Sequence, residues 1–120
     1  MSNVAIVYFS GYGHTQKQAE AVQAGAQAVA DTTVELIKID AEGNITDAQW
    51  QTLAAADGII FGSPTYMGGA AWQFKKFADA SSKPWYGRAW QDKLAAGFTN
   101  SASMNGDKGS TLQYFVTLAS

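Results

Sequence analysis

The stretch "NVAIVYFSGYGHT", residues 3–15, decides the fold. Its first seven residues, 3–9, are apolar almost throughout and rich in β-branched and aromatic side chains, which is typical of a strand buried on both faces of a parallel sheet. Two glycines, two hydroxyls and the single histidine of the chain follow directly. A segment rich in alanine and glutamine then runs over residues 15–30 and predicts a helix. The chain therefore opens with a strand, a tight polar loop and a helix.

Three more strand and helix pairs follow along the chain. The predicted strands are "TVELIKI" (33–39), "GIIFGS" (58–63) and "KLAAGFTN" (93–100). Glu35 and Lys38 place the second strand near an edge of the sheet. "TDAQ" (46–49) has the spacing of a capping box and opens the second helix. The final stretch "STLQYFVTLAS" predicts a helix that runs to the last residue.

The βαβαβαβα order predicts an α/β fold of the doubly wound class, with one parallel sheet between two layers of helices in a single domain, 1–120. Ligands of such folds bind beyond the carboxyl ends of the strands. Clusters of glycine and hydroxyl residues follow the first, third and fourth strands: "SGYGHT", "PTYMGG" and "SASMNGDKG". We therefore expect these three loops to converge on one binding site.

Composition narrows the kinds of site that the chain can hold. With 120 residues, 47% of them apolar, there is enough material for one core and no room for a second domain. A net charge of -2 without a basic patch argues against a nucleic-acid partner. No cysteine and one histidine leave no thiolate or multi-histidine metal site. The lack of a signal peptide or membrane-length apolar run predicts a cytoplasmic protein without membrane insertion.

The first loop has the chemistry of a phosphate site. Small residues let backbone N–H groups point outward, the helix N-terminus carries partial positive charge, and Ser10 and Thr15 add hydroxyl donors. The dinucleotide fingerprint GxGxxG is excluded because Gln16 stands at its third glycine, and the Walker loop is excluded because Gly-Lys-Ser/Thr is absent. Taken alone, "SGYGHT" is equally consistent with a tight turn and a helix cap.

Three motifs together resemble a known family. "YFSGYGHT", "FGSPTYMGG" and "PWYGRAW" followed by "KLAAGFTNS" are similar, in order and spacing, to the flavodoxin-like NAD(P)H:quinone oxidoreductases of the tryptophan-repressor-binding-protein type. The resemblance spans nearly the whole chain. It implies a flavodoxin-like three-layer fold of strand order 2-1-3-4, an FMN cofactor, and hydride transfer from NAD(P)H to quinones.

The resemblance also implies a set of cofactor-binding residues. The FMN phosphate would be held by Ser10, Gly11, Tyr12, Gly13, His14 and Thr15. The isoalloxazine ring would be contacted by Pro64, Thr65, Tyr66, Met67 and Gly68, and the third side of the pocket would be formed by Thr99, Asn100, Ser101, Ala102 and Ser103. Pro64, which cannot donate to a ladder, is expected to fix the exit from the third strand.

Beyond the flavin, no catalytic side chain is expected, because the cofactor performs the redox step. The resemblance implies that Tyr12 and Trp85 flank the nicotinamide and quinone, with packing or an oligomer interface as the alternative for Trp85. His14 is interpreted as a hydrogen-bond donor near the phosphate or a helix N-terminal residue, and Asp40 as a loop residue. Trp72, Phe74 and Phe77 are interpreted as core or interface residues, and Lys75 and Lys76 as a solvated helix face.

The chain departs from the family in lacking the usual fifth strand and its helix. Its fourth strand would then be an exposed apolar edge, and we expect either a shortened product or a homo-oligomer, dimer or tetramer, that completes the sheet. Two alternative functions remain open: a flavodoxin-like electron carrier without a substrate of its own, and a cofactor-free interaction module. The modest charge of -2 argues against the carrier, since such proteins steer association through strongly acidic surfaces.

Overall fold

Strands and helices alternate along the part of the chain that the computed structural model describes, which is residues 2–11, 13–66, 69–81, 93–100, 111, 112, 115 and 118. In chain order they are β1 (Ser2–Tyr8), α1 (His14–Gln27), β2 (Thr32–Lys38), α2 (Asp47–Ala55), β3 (Gly58–Tyr66), β4 (Gly69–Ala70), α3 (Trp72–Ala80) and β5 (Leu94–Asn100). Thr111, Leu112, Phe115 and Leu118 are also helical. The predicted strands and the first three predicted helices are thus present, with ends that differ by a few residues, and the described residues of the final stretch are helical.

The parallel strands lie in the order β2-β1-β3-β5. Since β5 is the strand predicted at 93–100, this is the predicted order 2-1-3-4, and the flavodoxin-like fold class is confirmed. β2 lies at one edge of the sheet, as Glu35 and Lys38 indicated. β5 pairs with β3 on the side of β3 that faces away from β1. The carboxyl ends of β1, β3 and β5 therefore lie at the same edge of the sheet.

β3 extends further than the sequence analysis predicted. Pro64, Thr65 and Tyr66 were expected in a loop, yet β3 continues through them, and Thr65 and Tyr66 pair antiparallel with β4. Pro64 is tolerated because it lies two residues beyond Gly62, where the register of β3 with β1 ends, so the N–H that proline lacks falls outside that ladder. The additional strand is this two-residue β4 and not the parallel fifth strand of the family.

Helices cover both faces of the sheet, as the three-layer class requires. On one face Ile6, Tyr8 and Val34 pack against Ala19 of α1. The opposite face carries the larger core, where α2, α3 and Phe115 pack on residues from β1, β2 and β3. α2 begins with the predicted capping box: the Thr46 hydroxyl accepts from the Gln49 N–H at 3.1 Å, and the Gln49 side chain accepts from the Thr46 N–H at 2.9 Å.

Phe74 and Phe77 of α3 are buried in the larger core, as predicted, whereas Trp72 is 59% exposed and lies outside the core of this chain. The reason is helical periodicity, because positions two apart point in different directions and only Phe74, Phe77 and Ala78 share the inward face. Lys75 and Lys76 lie on the exposed side of α3, as expected.

Gly62 on β3 provides a test of the packing between sheet and side chains. A Cβ at Gly62 would lie 2.8 Å from Cε1 of Phe98 and closer still to two other ring atoms, so alanine there must displace the ring. We expect Gly62→Ala to lower the free energy of unfolding by about 1–3 kcal/mol. A Cβ at Gly25 in α1 meets nothing within 4 Å, so Gly25→Ala should raise it by about 0.5–1 kcal/mol. Urea titration of both variants checks the opposite signs; equal effects would contradict the packing described here.

Candidate functional site

The first loop closes around the Ser10 side chain. The Ser10 Oγ accepts from the backbone N–H of Gly13 at 3.0 Å and of Gln16 at 3.2 Å. Gly13 has a φ of 91°, a left-handed conformation that favours glycine. The Ser10 side chain therefore caps α1, as the helix-cap interpretation of the loop expects. Whether the loop can also bind a ligand depends on its remaining hydrogen-bond donors.

The remaining hydrogen-bond donors of the loop suit an anionic ligand. Among the residues that the structure describes, none accepts from the backbone N–H of His14 or Thr15, which open α1. The Ser10 oxygen accepts two hydrogen bonds but its own proton has no acceptor in the described part of the chain. Free N–H groups, a free hydroxyl proton and the positive end of the helix dipole suit a phosphate without any cationic side chain.

The loop also contacts the end of β3. A Cβ on Gly11 would lie 2.5 Å from the Tyr66 hydroxyl oxygen, so Gly11 and the Tyr66 ring are in close approach. Any larger residue at position 11 would push Tyr66 aside. The first and second predicted loops are therefore adjacent in space.

A chain of hydroxyls, buried at Thr65 and Thr111 and half-buried at Thr99, joins β3, β5 and the C-terminal helical residues. The Thr99 Oγ1 donates to the Ser63 carbonyl at 2.6 Å, and Thr65 Oγ1 lies 2.8 Å from both Thr99 Oγ1 and Thr111 Oγ1. Because each hydroxyl has one proton, Thr65 must donate to Thr99 and Thr111 must donate to Thr65. Sequence analysis predicted Thr65 and Thr99 but did not single out Ser63, although it lies within "FGSPTYMGG", or Thr111, which lies in no motif.

Asn100 ties the end of β5 to α1. Its Nδ2 donates to the Thr15 Oγ1 at 2.9 Å and to the Gln18 Oε1 at 3.0 Å. The Gln18 Nε2 in turn donates to the Thr99 carbonyl at 3.3 Å. Gln18 was also missed, since nothing in the helical pattern of residues 15–30 distinguishes it from its neighbouring glutamines.

The described candidates thus meet at the carboxyl ends of β1, β3 and β5. They are Ser10, Gly11, Gly13, His14 and Thr15 of the first loop, Pro64, Thr65 and Tyr66 of the second, and Thr99 and Asn100 of the third. Tyr12, Met67, Gly68, Trp85, Ser101, Ala102 and Ser103 lie outside the described residues. The binding role of each residue stays a prediction.

The structure also describes the environment of Asp40, the distribution of possible metal ligands and the length of the helices. Asp40 lies in the loop after β2, where its Oδ1 accepts from the backbone N–H of Glu42 and of Asn44, both at 2.9 Å, so it holds a turn as expected of a loop residue. Over the described ranges, no group of three or more acidic or histidine side chains is arranged to hold a metal ion. The helices of the described segments are all too short or too polar to span a membrane.

The Tyr8 hydroxyl, at the end of β1 beside the first loop, has a raised pKa. Burial raises the pKa of its hydroxyl above the ordinary value, and the negative charge of Glu20 on α1 adds to that effect. The folded state thus keeps the Tyr8 proton at a pH where the unfolded chain, with an ordinary tyrosine pKa near 10, releases it. The associated stability is fully present below about pH 10 and is lost as the pH rises through the folded pKa.

We therefore expect the free energy of unfolding to fall as the pH is raised above about 10, and Tyr8→Phe to reduce this loss. Phenylalanine keeps the ring in place and removes the titrating group. Urea titrations from pH 8 to 11 measure the effect; identical slopes for the unmodified chain and Tyr8→Phe would refute it.

Comparison with known proteins identifies the family of the chain. The family model of the NADPH-dependent FMN reductases matches residues 5–119. The chain belongs to this family. FMN is the cofactor of the FMN reductase family, so the FMN prediction is confirmed at family level, as is the resemblance stated from the three motifs.

Individual relatives of this FMN reductase family member carry several names. "Flavodoxin FldP" of Pseudomonas aeruginosa is 57% identical over 120 residues, 100% of this chain and 62% of the relative. An "NAD(P)H dehydrogenase (quinone)" of Geobacter sulfurreducens is 37% identical over 96% of this chain and 66% of its own length. The crystal structure of a WrbA-like flavodoxin from Agrobacterium tumefaciens is 62% identical, with a TM-score of 0.92 over 99% of this chain and 72% of that one. The chain therefore spans under two thirds of the curated relatives' lengths.

Proposed function

We propose that this chain binds FMN at the carboxyl edge of its sheet, with the phosphate at the N-terminus of α1. The observation that supports this best is a set of donors in the first loop that have no acceptor among the described residues: the N–H groups of His14 and Thr15 and the Ser10 proton. They lie in a chain whose family is defined by FMN chemistry. When bound, FMN supplies hydride and electron transfer.

The residues of this chain then have distinct roles. Ser10, Gly11, Tyr12, Gly13, His14 and Thr15 hold the phosphate, with Gly11 and Gly13 leaving the backbone accessible. Pro64, Thr65, Tyr66, Met67 and Gly68 contact the ring, and Thr99 to Ser103 form the third side. The hydroxyl chain from Thr111 through Thr65 to Thr99 fixes the second and third segments relative to each other.

We further propose that the activity is reduction of quinones by NAD(P)H. Relatives such as the Geobacter sulfurreducens protein bear that name, and no acid, base or nucleophile from the chain is needed for it. Tyr12 and Trp85 are proposed to flank the nicotinamide and the quinone. A homo-oligomeric state in the cytoplasm is part of this proposal, consistent with β5, whose outer side has no strand partner in the described part of the chain.

A second candidate is an electron carrier without a substrate of its own. It is favoured by the 57% identity to the protein named flavodoxin FldP. Both candidates require FMN, so they differ in turnover and not in cofactor.

Steady-state consumption of NADPH with benzoquinone separates the two candidates. An FMN-loaded quinone reductase should show multiple turnovers that saturate in both NADPH and benzoquinone. An FMN-loaded chain that is reduced by dithionite but does not oxidise NADPH would support the carrier. A chain that does not take up FMN at all would support the interaction module and defeat both.

A further inference from the structure

We propose that Asn100 is a positioning residue for the phosphate end of the ligand, acting through Thr15, and not a contact to the flavin ring. This inference rests on the proposed FMN function. It assigns to Asn100 a role that differs from the one its place in the third loop implies.

The argument starts at the Thr99 carbonyl, which can only accept. Because the Gln18 side chain points to that carbonyl at 3.3 Å, its NH₂ group must face Thr99, and its Oε1 must face the other way. That oxygen lies 3.0 Å from the Asn100 side chain, so the Asn100 group facing it must be the NH₂. The backbone carbonyl thus fixes the orientation of two amides in succession.

The same Asn100 NH₂ donates its second proton to Thr15. The Thr15 Oγ1 accepts this bond at 2.9 Å, and therefore its own hydroxyl proton must be used elsewhere. Thr15 is 2% exposed, and its proton finds no acceptor among the described residues. A buried hydroxyl with an unused proton is costly, so a ligand atom that accepts it is favoured there.

The position of Thr15 identifies that ligand atom by its chemistry. Thr15 is the second residue of α1, and the N–H groups of His14 and Thr15 have no acceptor in the described part of the chain, so an anionic oxygen is stabilised there. A phosphate oxygen only accepts, and therefore needs the donor polarity that Asn100 imposes. If Asn100 did not supply its NH₂, the Thr15 hydroxyl could turn and donate to another group, and the phosphate would lose a charge-assisted hydrogen bond.

A double-mutant cycle on FMN binding tests the proposal. Thr15→Val removes the hydroxyl with little change in volume, and Asn100→Ala removes the amide. Each change should weaken FMN binding about 10-fold or more, the value of a hydrogen bond to a charged group. Because Asn100 acts through Thr15, Asn100→Ala should have less than about a twofold effect when Thr15→Val is already present. The same fold-loss in both backgrounds would overturn the proposal.

Riboflavin, which lacks the phosphate, provides a second measurement. Asn100→Ala should lower the affinity for FMN and leave that for riboflavin within about twofold, whereas a ring contact would lower both equally and refute the assignment. Asn44→Ala is the matched control, since Asn44 lies in an exposed loop and its backbone N–H, not its side chain, bonds to Asp40. The melting temperature without ligand confirms that each variant is folded, and Asn100→Leu, which keeps a similar shape and removes the donor without adding charge, replaces Asn100→Ala if that variant unfolds.

Failure of this inference is distinct from failure of the proposed function. An unmodified chain that binds neither FMN nor riboflavin contradicts the function itself. An unmodified chain that binds FMN, with Asn100→Ala additive to Thr15→Val or equally harmful to riboflavin binding, contradicts only the role of Asn100.

Discussion

Ser10→Asp should weaken FMN binding about 100- to 1000-fold while the chain without ligand stays folded. The Ser10 oxygen accepts from the N–H groups of Gly13 and Gln16, and an aspartate carboxylate accepts the same two bonds. Aspartate is as good a helix cap as serine and its charge is favourable at a helix N-terminus. One negative charge of the phosphate at about 4 Å from that carboxylate is repelled by about 4 kcal/mol at an effective dielectric of 20. Since about 1.4 kcal/mol is a tenfold change in Kd, this repulsion accounts for the expected loss.

This substitution separates the two interpretations of "SGYGHT". If the loop only caps α1, Ser10→Asp leaves flavin affinity unchanged. Thr46→Asp is the matched control, because Thr46 caps α2 through the same kind of bond and belongs to no candidate loop. Fluorescence titration measures the FMN affinity of the unmodified chain and of both variants. Equal affinities for Ser10→Asp and Thr46→Asp would show that the phosphate does not bind at the first loop.

Phe74→Ala should lower the free energy of unfolding by about 3–5 kcal/mol. Phe74 is fully buried at the centre of an aromatic cluster, with ring centroids 5.1 Å from Phe115, 5.6 Å from Phe77 and 6.0 Å from Phe61. Its removal leaves a cavity and ends three ring contacts. Since domains of this size are stable by about 5–15 kcal/mol, the loss should be visible as a large shift of the urea midpoint.

Trp72→Ala is the matched control for this change. Trp72 lies on the same helix but is 59% exposed, so its loss should cost no more than about 0.5 kcal/mol. Circular dichroism follows both variants, because fluorescence would change when Trp72 is removed. A stability loss for Trp72→Ala as large as that for Phe74→Ala would mean that the core has been placed wrongly.

Local patterns predicted those parts of the fold that depend on nearby residues. The apolar run ending at Phe9 gave the central strand, and the Thr46 to Gln49 spacing gave the capping box, because both are set within a few residues. The extension of β3 through Pro64 was not predictable, since it depends on where the β1 ladder ends. The exposure of Trp72 could have been predicted from helical periodicity alone.

The residues of the candidate site were likewise predicted where the signal is local in the sequence and missed where it is not. Loop 10–15 was found from its composition, because phosphate chemistry uses small residues and hydroxyls that are adjacent in sequence. Gln18 and Thr111 were missed because their partners are distant along the chain: Asn100 is 82 residues from Gln18, and Thr65 is 46 from Thr111. Such contacts are set by the order of the strands, which brings the end of β5 next to α1.

Titration of the unmodified chain with FMN is the most direct test of the account. If FMN binds at the first loop, saturation should perturb the flavin absorbance spectrum and raise the stability by about 2.7 kcal/mol at 100 times Kd. For a domain of this size that corresponds to a rise in Tm of roughly 10 °C. If saturating FMN changes neither the spectrum nor Tm, the chain does not bind FMN and the central claim is contradicted.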